Sequence, residues 1–121
     1  MKKHFIHEAL EEAKRSLFLN EVPVGAVIVK DNKIIARAHN LRETMQDATA
    51  HAEVLAIKKA CVILSSWRLT GCDMYVTLEP CPMCAGAILQ SRISKLYIGM
   101  FDPSVGEIGR ASCRERVFAG C

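Results

Sequence analysis

The sequence predicts an α/β protein: a mixed sheet covered by helices and begun by a β-hairpin. Three observations carry that expectation. Residues 4–19 have an amphipathic helical period, two β-branched runs follow with only "DNK" between them, and residues 71–100 read as strand, short loop, helix and strand.

In "HFIHEALEEAKRSLFL" the residues Phe5, Ile6, Ala9, Leu10, Ala13 and Leu17 recur at three- and four-residue steps. Glu8, Glu11, Glu12, Lys14 and Arg15 fall between them, so one face is apolar and the other charged. His4 and His7 are expected to be exposed on this helix. After "NEVPVG", the runs "AVIVK" and "IIARA" read as strands, with Asp31 and Asn32 suited to a tight turn. The polar stretch "HNLRETMQDAT" is expected to be a loop, with Thr49 near the position that caps a helix over about residues 51–64. "GCDMYVTL" is turn and strand, and "EPCPMCAGAILQSR" is a helix with Pro82 in its first turn. "KLYIGM" supplies a further strand, parallel to the one ending at Leu78 because a helix connects them.

From Asp102 onward the glycines at 106, 109 and 120 and the scattered apolar residues give no period, and the tail is expected to be irregular. Neither a repeat nor a linker marks a second domain. A chain of 121 residues, half of them hydrophobic, can build one core unaided. Its net charge of +3 permits a nucleic-acid partner without announcing one. The N-terminus "MKKHFIHEALEEAK" lacks the apolar stretch of a secretory signal, and no run approaches the ~18 apolar residues of a membrane span. A cytoplasmic protein is expected. In that reducing setting six clustered cysteines speak for metal before disulfides.

Cys81 and Cys84 form "PCPMC" at the start of a predicted helix, where free N–H groups and the helix dipole are expected to favour the thiolates. His51 opens another helix that also follows a connecting loop, so the three side chains can converge. One histidine and two thiolates satisfy zinc and leave a tetrahedral position for water. Glu53, two residues past His51, then stands where it can take a proton from that water as general base and return it as acid.

Each part alone has a bland reading. A histidine at a helix start is usually an ordinary polar residue, and a first-turn glutamate usually serves the dipole. A lone C-x-x-C fits structural zinc or a redox pair as well. A redox pair needs no His-x-Glu partner. Structural zinc needs a fourth ligand, for which Cys72, His39 and Cys113 are the candidates, none at paired spacing. Cys61, Met83 and residues 85–89 are most simply core, and Trp67 is a packing anchor before it is a stacking platform.

Taken together, "HAE" and a strand ending in "TLEPCPMC" match the H-x-E…P-C-x-x-C signature of zinc nucleobase deaminases. "EVPVGAVIV", "AHN", "TAHAEVLAI", "YVTLEPCPMCAGAI" and "SRISKLYIG" make about residues 1–106 resemble the bacterial tRNA-specific adenosine deaminases of the cytidine/deoxycytidylate deaminase superfamily. The resemblance implies a three-layer α/β/α cytidine-deaminase-like fold, a homodimer, and conversion of the wobble adenosine of an arginine tRNA anticodon to inosine. It implies one zinc ion per chain on His51, Cys81 and Cys84, with Glu53 as proton shuttle in attack at C6 of a splayed-out adenine. Asn40, the backbone N–H of Ala52 and Asp102 match positions that contact substrate.

The match stops at "DPSVG". Residues 107–121, "EIGRASCRERVFAGC", resemble no part of the family and read as an appended tail on a C-terminally truncated deaminase domain. The strand "KLYIGM" is then expected to keep an unpaired edge, with reduced stability and weakened RNA binding. The zinc signature is shared with guanine and cytosine deaminases, and a truncated copy could survive as an inactive zinc-containing RNA-binding module.

Overall fold

The computed structural model describes residues 2–101 and 111–117. Helix α1 (Lys2–Phe18) leads into the hairpin of β1 (Gly25–Lys30) and β2 (Lys33–His39). The short helix α2 (Arg42–Met45) and the longer α3 (Ala52–Leu64) precede β3 (Cys72–Val76). Helix α4 (Pro82–Gln90), β4 (Lys95–Phe101) and β5 (Ala111–Val117) follow.

The sheet order is β2-β1-β3-β4-β5, with β3 and β4 parallel and the other neighbours antiparallel. The expected mixed sheet is present. Asp31 and Asn32 both take positive φ, 52° and 61°, the twist that a two-residue hairpin turn demands.

Strand alternation divides the core in two. Ala26, Ile28, Met74, Val76, Leu96 and Ile98 face one side, where Ala52, Ala56 and Ala60 of α3 and Ile88 of α4 cover them. Val27, Val29, Tyr75 and Tyr97 face the other and meet Phe5, Ile6 and Ala9 of α1. The Tyr75 and Tyr97 rings stack at 4.5 Å. Helices on both faces give the expected three layers. Helix α1 lies very close to the sheet, because a Cβ on Gly25 would stand 2.0 Å from the Ala9 carbonyl oxygen.

Several expectations need correction. The polar loop contains α2, a single helical turn. The tail is not wholly irregular, since residues 111–117 pair along β4 from Lys95↔Val117 to Phe101↔Ala111. The edge of β4 is therefore covered. A backbone ladder needs no apolar side chains, so this strand leaves no period in "ASCRERV".

Within α1, Leu17 is half exposed while Glu12 and Ser16 are buried. Glu12 is buried because Arg37 Nε donates to one carboxylate oxygen at 2.7 Å and His39 Nδ1 lies 2.9 Å from the other. His4 and His7 are exposed as expected. Trp67 is no packing anchor: it is exposed, with the Arg68 guanidinium 4.4 Å from its ring centre. Met83 is likewise exposed, and of residues 85–89 only Ile88 is fully buried.

Candidate active site

Helices α3 and α4 start side by side, and their first residues make the site. His51 is the residue before α3, with extended backbone (φ −78°, ψ 150°) and its carbonyl accepting from the Leu55 N–H. Cys81 holds the same place before α4, where Pro82 at the first helical position removes a donor that would have had no partner. Neither side chain caps its own helix. They turn toward each other.

His51 Nδ1 lies 3.7 Å from Cys81 Sγ and 3.4 Å from Cys84 Sγ, and the three donor atoms fall within 4.8 Å of one another. Zinc bonds of ~2.0 Å to nitrogen and ~2.3 Å to sulfur at a tetrahedral angle set N and S about 3.6 Å apart. The donor set and its spacing fit zinc. Thr49, expected to cap the helix, instead donates its hydroxyl to Asp47 at 2.7 Å within the preceding loop. Of the candidates for a fourth ligand, Cys72 is buried in the core and His39 contacts Glu12. The Cys113 side chain lies outside the described residues.

Glu53, in the first turn of α3, is only 4% exposed. Burial pushes its carboxyl pKa up, against the opposing pull of its own N–H, His51 and the Cys84 thiol. A carboxyl raised in this way can both accept and return a proton. Burial, followed by the Glu53 carboxylate, also pushes the Cys84 thiol far above the ordinary cysteine range. The expected lowering by the helix N-terminus is thus overturned for Cys84. A metal at this position has to displace that proton on binding.

Beside the donor set opens a cavity of about 160 Å³, lined by Val22, Val24, Asn40, Arg42, His51, Ala52, Glu53, Leu78, Glu79 and Cys81. The sequence singles out Asn40, Ala52, Glu53, His51 and Cys81 from this set, and the fold brings all five together. Asp102 lies outside the described residues. A larger groove of about 540 Å³ between β2 and α3 is walled by Ile34, Ile35, Val62 and Ile63 with Lys58 and Lys59, and has no metal-ligating side chain. Of the two, only the smaller cavity reaches the donor set and Glu53.

Asn40 is 7% exposed and firmly held. Its Nδ2 donates to the Val22 carbonyl at 3.2 Å, its Oδ1 accepts from the Arg42 N–H at 3.2 Å, and its carbonyl accepts from the Ser16 hydroxyl at 3.0 Å. Glu21, Arg42, Val22 and Leu78 escaped the sequence reading. Nothing in the spacing of "EVPVG" marks Glu21 as buried.

A soft-donor triad that fits zinc, a buried acid beside it and a small cleft open at the helix starts make a candidate metal site on a three-layer α/β/α fold. The family described as the cytidine and deoxycytidylate deaminase zinc-binding region matches residues 1–100, and the chain belongs to that family. It is 57% identical over 102 residues to the tRNA-specific adenosine deaminase of Bacillus subtilis, covering 84% of this chain and 63% of that protein. A solved tRNA:A34 deaminase structure, from work on A-to-I editing at the wobble position, superposes with a TM-score of 0.79 at 51% identity. That match covers 83% of this chain and 72% of the other. Guanine deaminase of Bacillus subtilis superposes with a TM-score of 0.78 at 40% identity, over 85% of this chain and 66% of the other. The chain thus spans less than two thirds of the Bacillus tRNA deaminase it matches.

Proposed function

We propose that this chain converts adenosine to inosine at the wobble position of a tRNA anticodon, that of an arginine tRNA, by hydrolytic deamination. The observation that carries the reading is the buried Glu53 carboxyl in contact with the Cys84 thiol at the edge of a cavity that Asn40 and Ala52 also line. One zinc ion per chain would be held by His51, Cys81 and Cys84, and when bound it supplies the Lewis acidity that lets water act as a nucleophile at neutral pH.

Glu53 takes a proton from the attacking water and delivers it to the ring nitrogen next to C6. It then takes the proton of the new C6 hydroxyl and hands it to the amino group, so that the C6–N bond breaks, ammonia leaves and the C6 carbonyl of inosine forms. Asn40 fixes the base and ribose side, and the Ala52 N–H, one of the first-turn donors that no helical carbonyl can satisfy, meets the base edge. Asp102 completes the substrate contacts. The domain is taken as residues 1–106, followed by the tail 107–121.

The resemblance also carries the homodimer, and the exposed Met83 and Leu78 offer apolar surface for a partner copy. A cytoplasmic site of action is the matching expectation. Among the described residues no helix is long and apolar enough to cross a membrane.

The test is an assay of the zinc-loaded chain on an anticodon stem-loop, with free guanine and cytosine alongside. Inosine in the stem-loop is expected. Glu53→Gln should keep its zinc and lose about 10²–10⁴-fold in rate. Deamination of guanine or cytosine with no inosine would overturn the tRNA reading, and an unimpaired Glu53→Gln would overturn the proton shuttle.

A further inference from the structure

Helix α2 is too short to hold itself. A single turn in water is far from self-sustaining, and Leu41 at its start offers no side-chain cap. Its free donors are answered from elsewhere in the chain. Glu21, in the connection between α1 and β1, is 5% exposed and accepts from the Glu43 N–H at 3.0 Å with one oxygen. Its other oxygen accepts from the Thr44 N–H at 2.6 Å and the Thr44 hydroxyl at 2.7 Å. These are charge-assisted bonds to a carboxylate, the stronger kind.

The residues on either side of this clamp belong to the cavity. Val22, next to Glu21, accepts from the Asn40 side-chain amide, and Val24 accepts from the Asn40 N–H at 3.0 Å. Arg42, the first residue of α2, donates its N–H to Asn40 Oδ1. Val22, Val24, Asn40 and Arg42 all line the cavity beside Glu53. Glu21 therefore joins the two chain segments that form one wall.

We propose that Glu21 is a positioning residue for substrate: by capping α2 from across the fold it holds Asn40 and Arg42 in the geometry that receives the base. The inference rests on the reading of the cavity as the base site. Without the carboxylate, α2 loses its partners and the Arg42 N–H no longer restrains the Asn40 amide. The bound base must then order that wall itself, which weakens binding. The chemical step is spared, because His51, Glu53, Cys81 and Cys84 are set by α3 and α4.

The experiment compares the wild type with Glu21→Gln and Glu21→Ala, zinc-loaded, by inosine formation on an anticodon stem-loop and by amide hydrogen exchange at Glu43 and Thr44. For Glu21→Ala, KM is expected to rise about tenfold with kcat within about threefold and zinc content unchanged. Glu21→Gln keeps one carbonyl oxygen and should fall between it and the wild type. A loss of kcat or of zinc at unchanged KM would show a merely structural role and overturn the proposal. If the wild type makes no inosine, the base-site reading fails by itself, and exchange decides the clamp. Faster exchange at Thr44 in both variants then upholds the clamp, and unchanged protection overturns it.

Discussion

The buried charge cluster between α1 and β2 is the place where one side chain should matter most to the fold. Glu12 receives Arg37 Nε at 2.7 Å and contacts His39 Nδ1 at 2.9 Å, while Arg37 also reaches Glu8 at 3.0 Å. Glu12→Gln keeps the volume and removes the charge. Breaking a buried ion pair from one side costs about 3–5 kcal/mol. Here the Arg37 side chain is 38% exposed and can recover water, so a loss of about 2–3 kcal/mol is expected. For a chain of this size that is a fall in Tm of about 10 °C.

The effect should depend on pH with a definite sign. Burial, the largest influence on Glu12, pushes its carboxyl up, but the bonds from His39 and Arg37 and the charges of Arg37 and Arg15 outweigh it and hold it below the ordinary 4.5. The unfolded chain therefore takes up the proton first. The stabilisation is complete above the unfolded value and is lost as pH falls through the lower folded one. Urea unfolding of both proteins, kept metal-free by chelator, from pH 7 into acid would measure it. The difference should shrink toward zero once Glu12 is protonated, when acid and amide are near isosteres. A difference under about 1 kcal/mol at pH 7, or one that persists into acid, would refute the reasoning.

Three further outcomes follow from the packing and the donor set. Cys84→Ser should drop zinc, by elemental mass spectrometry, from about one per chain to a small fraction, and chelation of the wild type should lower its Tm by removing a ligand of the folded state. Retention of zinc by Cys84→Ser would remove Cys84 from the set. Gly25→Ala should destabilise by about 3 kcal/mol in urea, because the new Cβ would meet backbone atoms of α1, Ala9 O and Ala13 N, that no rotamer change can move away. A cost under about 1 kcal/mol would mean that α1 can lift off the sheet easily.

The order of helices and strands and the triad were legible in the sequence because local patterns encode them. A period of 3.6 marks α1, β-branched runs with a turn between them mark the hairpin, and a helix between two strands makes β3 and β4 parallel. His51, Glu53, Cys81 and Cys84 were legible because each sits at a fixed offset from a helix start, and two helix starts on one side of a sheet lie close together. Tertiary structure alone decided the rest. Glu12 looks like a surface residue until Arg37 and His39 arrive from β2. Glu21 looks like a loop residue until α2 needs its carboxylate. Strand β5 has no apolar period, since its pairing is made by backbone groups that carry no mark of their partner. In each case the deciding contact joins segments that are distant along the chain, and a hydrogen bond or ion pair of that kind leaves no periodic trace in either segment.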